Sequence, residues 1–198
     1  MAVKSSFKNM TLCLLVICLV CSALLAGVYA LTKEPIAAAE KAKNEAAIKE
    51  VLPSSAVVIE EEKKVEGTDY TYNRAFDELG NVVGIAINVA PTGFGGPIKM
   101  KVGFDAQGNV WNVKVLSHAE TPGLGAKCTD PDFAVTYGYR GLGYADLEAK
   151  KIKVTKDGGV IDAITASTIT SRAYAEGVAL AVELLDKIKT PDPLTMEE

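Results

Sequence analysis

The sequence is short of everything a disulfide framework or a metal centre needs. It has one histidine, His118, and four cysteines. Cys13, Cys18 and Cys21 lie inside an apolar stretch, and Cys128 stands alone downstream. Disulfide scaffolds need pairs, and zinc or iron–sulfur sites need clustered ligands. If this chain carries electrons, its carrier is organic, or a metal shared with partners. Positive charge is scarce as well. Lys4 and Lys8 are the only ionised side chains before Lys33, so 19 of the 21 Lys and Arg stand against all 25 Asp and Glu in residues 32–198, a formal charge of −6. A domain of that sign repels phosphate backbones, which argues against nucleic acid as a partner. No internal repeat of solenoid type is present.

Charge is missing altogether from Met10 to Leu31. That run is long enough to cross a hydrocarbon core of ~30 Å as a helix. Lys4, Lys8 and the α-amino group precede it, so the positive-inside rule keeps the N-terminus in the cytoplasm and exports the rest. A cleaved signal peptide is the competing reading, because Val28-Tyr29-Ala30 resembles a small-x-small cleavage site. A signal peptide's apolar core runs ~7–15 residues, shorter than this one, so the length favours a retained anchor. Ile17 and Val20, where a small residue would precede a lipidated cysteine, disfavour a lipoprotein. The expected organisation is a cytoplasmic N-terminus at 1–9, a transmembrane helix at 10–31, one extracytoplasmic domain at 32–190 and a loose tail at 191–198.

Within the exported part, Pro35–Val51 reads as an Ala-, Glu- and Lys-rich helix ended by Pro53. Ala56–Ile59 is short and β-branched, and Glu60–Lys64 reads as a charged surface turn. Tyr70–Phe76 and Val82–Val89 read as strands around Glu78-Leu79-Gly80-Asn81. Ile98–Phe104 and Val110–Leu116 form a second hairpin around Asp105-Ala106-Gln107-Gly108-Asn109. In it, Met100, Val102 and Phe104 alternate with Lys99, Lys101 and Gly103, which predicts one buried and one wet face. Residues 117–150 read as irregular. Lys151–Val154 and Val160–Ile164 are candidate strands, and Thr170–Ile188 is an amphipathic helix. Strand runs flanked by helices, without βαβ alternation, predict an α+β class.

The segment Asp162-Ala163-Ile164-Thr165-Ala166-Ser167-Thr168-Ile169-Thr170-Ser171 holds five hydroxyl side chains within seven positions, just before that helix. It is rich in capping oxygens. It also presents unpaired N–H groups at the positive dipole end, which suit a phosphate. On composition alone, an over-endowed N-cap is the favoured reading, since Ser and Thr prefer N-caps anyway. Two glycine-rich segments precede it. Gly93-Phe94-Gly95-Gly96-Pro97-Ile98 leads into the second hairpin. Ser117-His118-Ala119-Glu120-Thr121-Pro122-Gly123-Leu124-Gly125 follows it, and by itself reads as a type II turn around Pro122-Gly123.

Together and in this order, the three segments resemble the FMN-binding domain family. That domain is found in the G subunit of the Rnf electron-transport complex and the C subunit of the sodium-translocating NADH:quinone reductase. The family's flavinylation motif is Asp, two variable residues, Ser or Thr, a small residue (usually Gly), Ala or Ser, then Thr. The resemblance makes Asp162 the leading acid and Thr168 the residue that carries FMN through a phosphoester bond. Thr165 and Thr170 are the competing acceptors, and Ser167 lies between them. Ala166 departs from the usual Gly; a positive φ there would cost Ala about 1 kcal/mol. The other segments resemble the family's Gly-Tyr-Gly-Gly-Pro-Ile and His-x-Glu-Thr-Pro-Gly-Leu-Gly loops. The second puts Glu120, Thr121, Gly123, Leu124 and Gly125 beside the flavin, with Thr121 able to hydrogen-bond an isoalloxazine edge. His118 and Asp162 receive no defined role, and Phe94, Trp111 and Phe133 read as core or rim.

The resemblance implies a non-autonomous redox subunit in a bacterial cytoplasmic membrane. It would relay electrons between reduced ferredoxin and NAD in a complex that translocates ions. Its implied partners are the other membrane and redox subunits and a separate flavin transferase using FAD. The C subunit of the quinone reductase is the close alternative. An exported binding or structural domain without flavin is the alternative of another class.

Overall fold

The computed structural model describes residues 7–148 and 151–189. The two expected N-terminal helices are one: α1 runs unbroken over Phe7–Val51, with Pro35 inside it. Proline removes one N–H and one helical bond. The Ala-, Glu- and Lys-rich residues after it propagate helix well enough to carry through. Among the described residues, α1 is the helix long and apolar enough to cross a membrane. The chain divides into two units, Met1–Lys43 and Asn44–Glu198. Lys4 and the tail expected at 191–198 lie outside the described residues.

The second unit is α+β and is built on a six-stranded antiparallel sheet ordered β1-β3-β4-β5-β6, with β2 also on β3. The strands are β1 Val58–Ile59, β2 Lys63–Lys64, β3 Thr71–Phe76, β4 Val82–Val89, β5 Lys99–Asp105 and β6 Val110–Ser117. The charge run at Glu60–Lys64 is thus not simply a turn: Lys63 and Lys64 pair with Tyr72 and Thr71. Polar turns close both hairpins. Asp77 Oδ1 accepts the N–H groups of Leu79 at 2.9 Å and Asn81 at 2.8 Å. Hydrogen bonds from Asn81, above all its side chain, hold the Asp77 carboxyl below the usual range. Asp105 Oδ1 accepts Asn109 N–H at 2.8 Å in the same manner.

One face of the sheet packs on α4, Thr168–Lys189. Ile85, Ile87, Met100, Val102 and Phe104 meet Tyr174, Val178, Ala181 and Val182 in one buried cluster. Truncating a side chain such as Phe104 to Ala there would cost about 3–5 kcal/mol. The expectation of a wet opposite face holds at exposed Lys99 and fails at Lys101 and Gly103, which are buried. Ile48 and Val51 at the end of α1, and Leu52 just after it, pack on Ala75 and Ala86 of that face. At Gly103 a Cβ would run into the Val51 carbonyl oxygen, so only glycine admits that approach. Lys101, on the same face, is fully buried. Its Nζ donates to Asn73 Oδ1 at 3.2 Å. Burial pushes its pKa down to about 8, opposed in part by the Glu62 carboxylate. Alternation reports which way a side chain points, and what covers that face is a tertiary matter.

The candidate strands at Lys151–Val154 and Val160–Ile164 are absent. A single parallel bridge, Val154 to Ile161, spans a 3₁₀ turn at Thr155–Asp157. The irregular stretch expected at 117–150 holds a 3₁₀ turn at Gly125–Thr129 and two short helices, α2 Phe133–Thr136 and α3 Tyr144–Glu148.

Candidate functional site

The start of α4 is set by two local devices. Ala166 has φ 63°, the one positive value of a non-glycine among the described residues. This is the strained conformation that a glycine would relieve. Around it, Ser167 N–H donates to Ile164 O at 3.0 Å. The buried Ser171 hydroxyl then locks the turn from below, donating to Ser167 O at 2.9 Å and accepting Ile164 N–H at 2.9 Å. The first helical bond is Ser171 N–H to Ser167 O. Among the described residues, the N–H groups of Thr168, Ile169 and Thr170 find no acceptor, as expected for the first residues of a helix. Nor does the half-buried Thr168 hydroxyl have a hydrogen-bond partner there.

The glycine loops complete the site. In the first, Gly93 N–H donates to Gly96 O at 2.8 Å, leaving Phe94 exposed at the tip. In the second, Thr121 O accepts Leu124 N–H at 3.2 Å, and Gly123 has φ 78°. That is the Pro122-Gly123 turn legible in the sequence. Glu120, only 5% exposed, joins the pieces. Its Oε1 accepts Gly95 N–H at 2.9 Å, and its Oε2 accepts the Thr170 hydroxyl at 2.5 Å.

Between these segments lies a cleft of about 380 Å³, lined by Phe94, Glu120, Thr121, Leu124, Gly125, Ala166, Ser167, Thr168, Ile169 and Thr170. Seven of the residues singled out in the sequence therefore come together. The other three, Asp162, Thr165 and Gly123, are exposed and outside the lining. Thr170, a competing acceptor, is 2% exposed with its hydroxyl engaged. Phe94, Ala166 and Ile169 line the cleft without having been named as binding residues. An apolar Ile169 amid five hydroxyl residues, and an aromatic at a glycine-loop tip, were the available signals.

The surroundings are chemically quiet. Arg172 binds Asp157 through two bonds of 2.6 and 2.7 Å, fastening the Thr155–Asp157 turn to α4. That bond holds the Asp157 carboxyl low and the Arg172 guanidinium high. Cys128 is buried, and its thiol is pushed up to about 11, first by burial and then by the Glu120 carboxylate. A thiol so far from ionising is not a nucleophile. The site offers an apolar rim, a free hydroxyl and open N–H donors at a helix N-terminus. That set suits a flat aromatic ligand with an anionic phosphate. Among the described residues no group of three His, Cys, Asp or Glu side chains is placed to hold a metal ion.

Residues 93–183, which include all three segments, match the family described as FMN-binding domain, and residues 1–51 match the RnfG N-terminal region. The G subunit of the ion-translocating oxidoreductase complex of Aliivibrio fischeri is 35% identical over 191 residues, spanning 90% of each chain. Its namesake from Methanosarcina acetivorans is 32% identical over 175 residues, spanning 86% of this chain and 89% of the other. Among solved structures, the C subunit of the Na(+)-translocating NADH-quinone reductase of Parabacteroides distasonis aligns with a TM-score of 0.49 and 23% identity, covering 76% of this chain and 84% of that one.

Proposed function

The chain belongs to the family of the G subunit of ion-translocating oxidoreductase complexes, and we propose that it is the membrane-anchored, FMN-bearing electron-transfer subunit of such a complex. The observation that carries this reading is the coincidence of the FMN-binding family match with the cleft. Loop, loop and helix N-terminus lie far apart in sequence and converge on the cleft that Thr168 lines. Relatives matched along nearly their whole length favour the Rnf-type complex over the quinone reductase.

FMN is held covalently in this reading, through a phosphoester on Thr168. The Thr168 hydroxyl lines the cleft without a hydrogen-bond partner among the described residues, as do those of Ser167 and Thr121, and of the three it is Thr168 that stands at the acceptor position of the motif. Thr170 is spent on Glu120, and Thr165 lies off the lining. A threonine hydroxyl is a poor nucleophile at neutral pH, so a separate flavin transferase activates it. The Thr168 Oγ1–phosphorus bond forms as the P–O–P bond of FAD breaks, AMP departs and the hydroxyl proton is lost. The product phosphodiester keeps about one negative charge, which the open N–H groups at the α4 N-terminus offset, each contact being worth about 0.3–1 kcal/mol. Exposed Asp162 is free to meet the transferase. Thr121 and Leu124 flank the ring.

Bound flavin supplies one- and two-electron chemistry, and the protein positions and shields it. No side chain is needed as acid or base toward a substrate. The tether keeps a cofactor in place where no cytoplasmic pool could replace it. The uncharged span of α1 crosses the membrane once, with the N-terminus in the cytoplasm on the strength of the positive flank. The other redox and membrane subunits are its partners.

The test is co-expression with a flavin transferase, followed by denaturing-gel fluorescence and peptide mass spectrometry. The expected result is one FMN phosphate on Thr168, abolished in Thr168→Val, with the variant still folded. FMN mapped to Thr165 or Thr170, or colourless wild-type protein, would overturn it.

A further inference from the structure

Glu120 is hydrogen-bonded by both carboxylate oxygens and by its own backbone. Gly95 N–H and the Thr170 hydroxyl donate to the carboxylate at 2.9 and 2.5 Å. Glu120 N–H donates to His118 Nδ1 at 3.0 Å, which leaves the ring proton of a neutral His118 on Nε2. The space around this side chain is kept by glycine. A Cβ on Gly93 would overlap Glu120 Oε1, and one on Gly125 would sit 2.6 Å from Oε2 and 2.6 Å from Thr170 Oγ1. Gly93 and Gly125 thus serve the carboxylate, a use distinct from letting backbone approach a flat ligand.

We propose that Glu120 is a positioning residue, acting through Thr170 to present Thr168 for flavin attachment. The inference rests on the Thr168 reading above. Successive residues of an α-helix turn by about 100°, so Thr168 and Thr170 leave the helix in well-separated directions, although both border the cleft. Pinning the Thr170 side chain inward fixes the rotation of the first turn of α4. The Thr168 hydroxyl is thereby turned out to the cleft, half-buried, while Thr170 is 2% exposed. The same carboxylate joins the Gly93–Gly96 loop to the helix through Gly95, so one buried side chain sets the spacing of cleft wall and acceptor.

Glutamine separates this role from a role of the charge. In Glu120→Gln, Oε1 still accepts Gly95 N–H and Nε2 donates to Thr170 Oγ1, so both links persist without the charge. Glu120→Ala removes both links, and Thr170→Val removes the helix link at nearly constant volume. The experiment measures initial rates of FMN incorporation into the full-length protein in detergent, with purified transferase and FAD, across protein concentrations. Thermal unfolding of each variant is followed in parallel. Glu120→Ala and Thr170→Val should each lower kcat for incorporation by about tenfold or more with KM little changed, as misplaced reacting groups do. Glu120→Gln should restore kcat to within about twofold of wild type, and the double Ala/Val variant should be no slower than Glu120→Ala. Wild-type rates in Thr170→Val, or a Gln variant as slow as the Ala variant, would overturn the proposal. Wild-type protein labelled elsewhere than Thr168 would instead overturn the reading beneath it.

Discussion

The Ser171 hydroxyl lies 2.9 Å from the Ser167 carbonyl oxygen and accepts the Ile164 N–H at the same distance, so one buried side chain ties the acceptor turn to the first turn of α4. Ser171→Ala leaves the Ile164 N–H without that partner in a buried site. The expected loss is about 1–3 kcal/mol, the cost of an unsatisfied buried group. A lower Tm of the full-length protein in detergent checks it, and an unchanged Tm would show that the turn holds by other means.

Ala166 is strained at φ 63°. Ala166→Gly should therefore raise stability by about 1 kcal/mol, the ordinary penalty of a Cβ in this region. Ala166→Val should lower it, since β-branching worsens the same clash. Thermal unfolding of the two variants should move in opposite directions, and movement in the same direction would refute the strain.

Thr121 lines the cleft from an exposed position. Thr121→Val should leave flavin attached to Thr168 and shift its absorbance or midpoint potential, because a hydrogen bond to the ring edge is lost. Spectroelectrochemistry of the loaded protein decides this. An unchanged spectrum and potential would leave the loop with its turn alone.

Lys101 predicts a pH dependence in a definite direction. Its folded pKa, about 8, lies below the ordinary 10.5 because burial disfavours the ammonium. Between those values the unfolded chain binds more protons, so stability rises with pH there. The penalty is full below about 8, and its relief by 10.5 is on the order of 3 kcal/mol. Lys101→Met should lack this component. Denaturation of wild type and variant from pH 7 to 10.5 should give a difference that shifts in favour of wild type as pH rises. A constant difference would contradict the buried ammonium.

Much of the fold was legible because its signals are local. Asp77-to-Asn81 and Asp105-to-Asn109 close their turns with side chains of the turns themselves. Val82–Val89 was readable as a strand, and the last helix was readable to within two residues of its start at Thr168. Lys63–Lys64 was not, since a two-residue edge strand exists only through its pairing with β3. Nor was the failure of Lys151–Val154 and Val160–Ile164 to become strands. Their β-branched residues meet in a single bridge with no neighbouring strand to extend it.

The sequence by itself determined an uncharged N-terminal span, the strand alternation, the glycine loops and a hydroxyl-rich helix start. All of these follow from residues within a few positions of one another, where sterics and periodicity act directly. The tertiary structure alone decided that the Thr170 hydroxyl is engaged while those of Thr165 and Thr168 are not. Thr170 is claimed by Glu120, fifty residues earlier in the chain, and no local pattern encodes that bond. It also decided that Lys101 is buried, on a face that alternation could only mark as the other side of the strand.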